Sequence, residues 1–263
     1  MGAAATVPIP RSLRRPVLGA LARRFGCDLS ESDRPIEDFV DFQAFFMRAL
    51  RRGARAIDEA PLVSPADGEV TSQGPVARGR LVQAKGIDYS VEGLLGDESE
   101  AAAFEGGEQL TIYLHPRNYH RVHSPVSGAI VGSCHMPGEL FPVHAGAARA
   151  VRGLFARNER LVTTIAAPAF RAAVVMVAAM GCGHVRAAYD DGAWRRTGPH
   201  RYGAQIPVQR GAEIGSFAMG STVVLLVTRG GPPLVPLAPG AVLRLGSALT
   251  EPGTQTAIGA ARG

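Results

Sequence analysis

The spacing of hydrophobic positions changes near residue 58. Before it, apolar side chains recur at helical intervals; after it, they come as short runs broken by glycine and proline. Pro16 is placed to open a short helix ending near Phe25, with Val17, Leu18, Leu21 and Phe25 on one broad face and Arg24 at its edge. A second helix is expected from Pro35 to Arg52, on which Ile36, Phe39, Val40, Met47 and Leu50 share a stripe. Phe39, Phe42, Phe45 and Phe46 widen that stripe beyond what one packed face needs. Strands are expected at Thr111–Leu114, Leu161–Ile165, Ala172–Met180 and Thr222–Thr228; the unbroken apolar run of the third suits a strand buried on both faces. A weak repeat, S-P-x-x-G-x-[VI], occurs at Ser64–Val70 and again at Ser124–Ile130. Proline can open a strand and glycine can take a left-handed turn, so each copy marks a β-corner. The expected fold is mainly β with α: N-terminal helices, residues 1–58, packed on a pseudo-duplicated antiparallel β-sandwich or barrel, residues 59–263. The tail from about Ala248 reads as small, polar and loose.

Composition supports a real core. The chain is 46% hydrophobic and 19% charged over 263 residues, which suits one sizeable domain and argues against global disorder. With 32 glycines and 19 prolines, and little helical periodicity after residue 58, a helical bundle is not expected. The net charge of +5 is local: residues 1–25 hold five arginines and no acid, and the remainder balances. That segment, with the phenylalanine stripe, is expected to lie on an anionic membrane surface. A helix wedged against the β domain competes evenly, and a mitochondrial presequence stands third. No apolar run is long enough to span a bilayer, and no secretory signal is visible. Cys27, Cys134 and Cys182 lie far apart, without disulfide or metal-ligand spacing.

Three segments could carry chemistry. His120 and His123 lie three residues apart in Tyr119-His120-Arg121-Val122-His123, where a turn could bring both imidazoles to one cleft. No third ligand at usual spacing completes a metal site with them. Asp67 sits between a proline corner and Gly68, where the default role is turn chemistry. Ser221 follows Gly220 at the mouth of an apolar strand, with a neighbouring carbonyl unshielded by any Cβ. The nucleophile-elbow pattern is absent, and an ordinary turn into a strand would look the same.

In order along the chain, these segments resemble phosphatidylserine decarboxylase proenzymes, a family of pyruvoyl-dependent enzymes. The resemblance is carried by the phenylalanine-rich Phe39–Arg48, Ser64–Gly68, Gln83–Gly86 with Tyr89-Ser90, and Pro116–His123. It continues through Pro137–Phe141 and Leu154–Arg160 to Gly215-Ser216-Phe217 and Gly220-Ser221-Thr222. Two departures stand out. Met219 replaces the usual leucine, a near-isosteric change, and Asn118 replaces an aspartate common before the Tyr-His pair. The resemblance implies that Asp67 orients His123, that His123 takes the proton of Ser221, and that the chain cleaves itself between residues 220 and 221. The resulting β and α chains stay together, and Ser221 becomes a covalent pyruvoyl group. With that group the enzyme would convert phosphatidylserine to phosphatidylethanolamine and CO2, and His120 would protonate the carbon that loses CO2. It also implies a peripheral protein on the cytoplasmic face of the cell membrane, with a homodimer left open and neither metal nor nucleic-acid partner. Lys85 stays unassigned, although it could contact phosphate. Three alternatives compete: a serine hydrolase using the same Asp67, His123 and Ser221, a non-catalytic lipid-binding β-sandwich, and a decarboxylase of a related phosphoserine-type headgroup.

Overall fold

The structure is a computed structural model describing residues 5–83, 87–179, 185–218 and 221–251. Helix α1 spans Arg11–Phe25 and stops at Gly26, whose left-handed φ of 75° lets its N–H return to Ala22 and Arg23. It begins five residues before the expected start, and Pro16 lies inside it. The lost proline N–H falls in the second turn, where it removes only the bond to Ser12. Leu18 and Ala22 are buried against Phe39 and Phe45, while Val17 is exposed.

The continuous helix expected over residues 35–52 does not form. A 3-10 turn at Ile36–Asp38 ends in extended Phe39, and a short helix α2, Phe42–Phe46, restarts where Asp41 accepts the Ala44 N–H at 2.7 Å. Asp41 caps a new helix instead of continuing the old one, and helical spacing alone does not reveal that break. Phe39, Phe45 and Phe46 are buried, so most of the stripe is packing surface.

The remaining chain builds β1 (Gly68–Ala77), β2 (Arg80–Gln83), β3 (Ile87–Ser90), β4 (Glu108–Leu114), β5 (Arg121–His123), β6 (Gly128–Met136), β7 (Arg160–Ala166), β8 (Arg171–Ala178), β9 (Val185–Ala187), β10 (Gly198–Val208), β11 (Glu213–Phe217), β12 (Ser221–Val227) and β13 (Val242–Leu243). Short helices α3 (Val91–Leu95), α4 (Glu98–Ala103), α5 (Ala145–Ala150) and α6 (Leu154–Arg157) lie between strands. The large antiparallel sheet runs β10-β6-β7-β8-β12-β4-β1-β2-β3, with β13 also paired to β1. A three-stranded sheet, β5-β11-β9, stands apart.

The expected duplication is present as a local pseudo-twofold between β8 and β12, about the Val174–Leu225 pair. It relates β7 to β4, β6 to β1 and β10 to β13. Both halves carry a bulge at the same place, between Val70 and Ser72 in one and Ile130 and Gly132 in the other. The two corners bind each other reciprocally: Val63 N–H donates to Pro125 O (2.9 Å) and His123 N–H to Pro65 O (2.8 Å). Ser64 Oγ donates to Ala66 O and Ser124 Oγ to Val126 O, at 2.8 and 2.7 Å.

Strand β8 is buried on both faces, as its apolar run implies. Ala172, Val174 and Met176 join one core cluster and Ala173, Val175 and Val177 the other. The three-stranded sheet covers the first cluster through Val122, Val185, Ile214 and Phe217. The start of the expected loose tail, near residue 248, is packed, and residues 252–263 of it lie outside the described residues. Ala248 bridges Val63, and Leu249 and Thr250 are buried.

Candidate active site

Leu114 ends β4, and the chain turns through residues 115–119 into β5. Asn118 closes that turn. Its Oδ1 accepts the His115 N–H (2.8 Å), and its own N–H donates to His115 O (2.8 Å). An amide oxygen can accept such a bond as a carboxylate would, so asparagine fits this turn.

His120 follows, fully buried. Its Nδ1 bonds the Asn118 carbonyl at 2.8 Å. A carbonyl only accepts, so Nδ1 carries the proton and Nε2 keeps its lone pair. That Nε2 is buried with no partner among the described residues. The Phe46 ring lies against the imidazole, with centroids 3.9 Å apart. Burial pushes the His120 pKa down to about 3, so the ring is neutral at physiological pH. The His120 carbonyl accepts from Phe217 N–H at 3.0 Å, tying it to the strand that leads toward Ser221.

His123 is held differently. Its Nδ1 donates to Gly211 O at 2.8 Å, and its Nε2 accepts from the Tyr119 hydroxyl at 3.0 Å. Burial lowers its pKa, opposed by the Gly211 bond and by the charges of Glu213 and Asp67.

Asp67 is buried at the first corner. Its carboxylate accepts from Arg55 Nε (3.0 Å), Arg55 Nη2 (2.5 Å) and the Leu245 N–H (2.8 Å). Arg55 also grips Glu31 through two bonds of 2.8 Å. No hydrogen bond joins Asp67 to His123 among the described residues; the carboxylate reaches the imidazole by its charge.

Ser221 opens β12 between Leu114 of β4 and Ala178 of β8. Strand alternation sets it on the same face as Val223 and Leu225, the face covered by Val122 and Phe217. It is fully buried, and its Oγ has no partner among the described residues. Met219 and Gly220 lie outside those residues, as do Lys85 and Cys182. Among the described residues, no group of three His, Cys, Asp or Glu side chains could hold a metal ion.

Arg55, Tyr119 and the Gly211 carbonyl have no signature in the sequence as partners of this site. Tyr119 stood inside a motif without a role. Arg55 lies twelve residues before Asp67, a separation that suggests no contact until the fold closes.

A family model described as phosphatidylserine decarboxylase matches residues 42–251. The chain is 47% identical over 253 residues to the phosphatidylserine decarboxylase proenzyme of Anaeromyxobacter sp. (strain K), covering 92% of this chain and 88% of that protein. It is 42% identical over 231 residues to the proenzyme of the same description from Myxococcus xanthus (strain DK1622), covering 86% and 82%. That from Acidovorax ebreus (strain TPSY) is also 42% identical over 231 residues, covering 85% and 82%.

Proposed function

The chain belongs to the phosphatidylserine decarboxylase family, and from this we propose that it cuts its own backbone between Gly220 and Ser221. It then removes the serine carboxyl of phosphatidylserine as CO2, leaving phosphatidylethanolamine. The observation that carries this reading is the buried Ser221 hydroxyl, which has no partner among the described residues. An unsatisfied buried hydroxyl costs on the order of 1–3 kcal/mol, and a poised nucleophile is a reason to keep one.

His123 serves as base once the Tyr119 hydroxyl turns away from Nε2. Gly211 fixes its tautomer, and Asp67 stabilises the imidazolium through space. As its proton leaves, the Ser221 oxygen attacks the Gly220 carbonyl; the C–N bond breaks, and the peptide becomes an ester. Loss of the Ser221 α-proton then expels the Gly220 carboxylate, and water replaces the freed nitrogen, which leaves as ammonia. The product is a ketone at the new N-terminus. A pyruvoyl group formed there supplies the electron sink for loss of CO2. His120 then delivers a proton to the carbon that lost CO2. Because the ring rests neutral, it first takes that proton from water on Nε2, unpartnered among the described residues, and then hands it on.

A serine hydrolase using Asp67, His123 and Ser221 would instead keep one intact, active chain, which separates it from this reading. Membrane contact is assigned to the N-terminal segment, where Val7, Leu13, Val17 and Val40 are exposed near the arginines of α1. No helix of the described residues is long and apolar enough to cross a bilayer.

Two experiments test these assignments. Ser221→Ala should give one uncleaved chain without decarboxylase activity; cleavage in that variant refutes Ser221 as nucleophile. Leu13→Ser with Val17→Ser should weaken sedimentation with anionic vesicles and leave self-cleavage intact. Unchanged sedimentation would remove this face from membrane contact.

A further inference from the structure

Among the described residues, Arg48 and Arg160 are deeply buried, and they are satisfied very differently. Arg160 spends its guanidinium on four carbonyls, those of Gly93, Leu94, Ala156 and Asn158, at 2.6–3.0 Å. Arg48, 3% exposed, donates only through Nη2, to Arg117 O (3.1 Å) and Asn118 O (3.4 Å). Its Nε and Nη1 are buried without partners, and it makes no ion pair among the described residues. The carboxylates whose charge reaches it, Glu31 and Asp67, are both held by Arg55. A buried cation without a counterion is costly.

Arg48 lines a cleft of about 210 Å3 that Asp67, Asn118 and Tyr119 also line. At its edge stand Arg117, which is exposed, and Arg244, whose side chain is 70% exposed with a loose 3.6 Å contact to Glu31. With Arg55, the lining carries four arginines against Asp28, Glu31 and Asp67, an excess of one positive charge. The cleft adjoins the chemistry, because Arg48 and His120 share the Asn118 carbonyl as acceptor.

Building on the decarboxylase reading, we propose that this cleft binds the phosphodiester of the substrate headgroup. Arg117 and Arg244 grip its oxygens, and Arg48 supplies the uncompensated charge beneath. A phosphodiester carries one negative charge, which matches the excess, and arginine suits its geometry. Holding the phosphate here would set the serine moiety on the His120 side of the Asn118 turn.

The test uses the processed enzyme with phosphatidylserine in mixed micelles. Arg117→Gln with Arg244→Gln changes only rim side chains, so self-cleavage should be normal. KM for phosphatidylserine should rise at least about tenfold, the loss of one charge-assisted contact, with little change in kcat. Turnover of an O-alkylserine, which lacks the phosphate, should be the same in variant and parent. Glycerophosphoethanolamine should inhibit the parent competitively and the variant at least about tenfold more weakly. An unchanged KM in a cleaved, active variant overturns the proposal. So does competitive inhibition by inorganic phosphate but not by the diester, which would make the cleft a free-phosphate site. A parent that cleaves but never decarboxylates phosphatidylserine would instead refute the functional reading on which the proposal rests.

Discussion

The two Ser-Pro corners share a scaffold and differ in chemistry. Each opens a strand at a glycine, each is held by the same serine-to-carbonyl bond, and each receives an N–H from the other. Gly246 N–H donates to Ser64 O as Gly211 N–H donates to Ser124 O, and both glycines have left-handed φ values, 84° and 80°. At the fourth position of the repeat, Asp67 accepts the Leu245 N–H where Ser127 accepts that of Arg210. At the position before the serine, the first corner has Val63 and the second His123. One half therefore carries the carboxylate and the other the imidazole. The reciprocal bonds between corners bring the carboxylate and imidazole segments together. Duplication supplied a rigid frame, and charge was placed on it asymmetrically.

The largest contrast should come from the fourth position. Asp67→Asn breaks a buried pair with Arg55 and weakens the field at His123. Self-cleavage should slow at least about 100-fold, and stability should fall by about 3 kcal/mol. Ser127→Ala should cost about 1 kcal/mol and leave cleavage at the parental rate. Pulse-chase gels and urea melts of both variants measure this; equal cleavage rates would show that the corners are not functionally distinct.

A smaller effect should be shared by both corners. A Cβ at Gly68 would fall 2.6 Å from Tyr113 O, and one at Gly128 would press still closer on Ala166 O. Tyr113 and Ala166 are related by the pseudo-twofold through the pairs Glu69–Tyr113 and Ala129–Ala166. Gly68→Ala and Gly128→Ala should therefore each cost about 2 kcal/mol in urea melts. Gly74→Ala, with no neighbour within 4 Å of the added carbon, should change stability by less than about 0.5 kcal/mol. A large difference between the two corner variants would break the symmetry of the frame.

Much of this frame is legible in the sequence. The S-P-x-x-G repeat marks both corners, and the strands lie where apolar runs are bounded by turn residues, because local spacing encodes them. The N-terminal boundaries are not. Asp41 looks like any polar residue in a helical stripe until its carboxylate caps Ala44, and Pro16 is tolerated one turn later than its usual place. At the site, the proposed residues Asp67, His120, His123 and Ser221 are picked out by the family resemblance, not by their local pattern alone. Their partners are not: Arg55, Tyr119 and the Gly211 carbonyl meet them only through tertiary closure. The burial that leaves Ser221 Oγ and His120 Nε2 without partners among the described residues has no local signal at all.

The most direct test of self-processing at Ser221 is the intact mass of the purified, active protein under denaturing conditions. It should show two chains: residues 1–220, and a fragment of the last 43 residues whose first residue has lost its amine to a ketone and gains mass with hydroxylamine. Full decarboxylase activity in a single unbroken chain of 263 residues, indifferent to hydroxylamine, would contradict it.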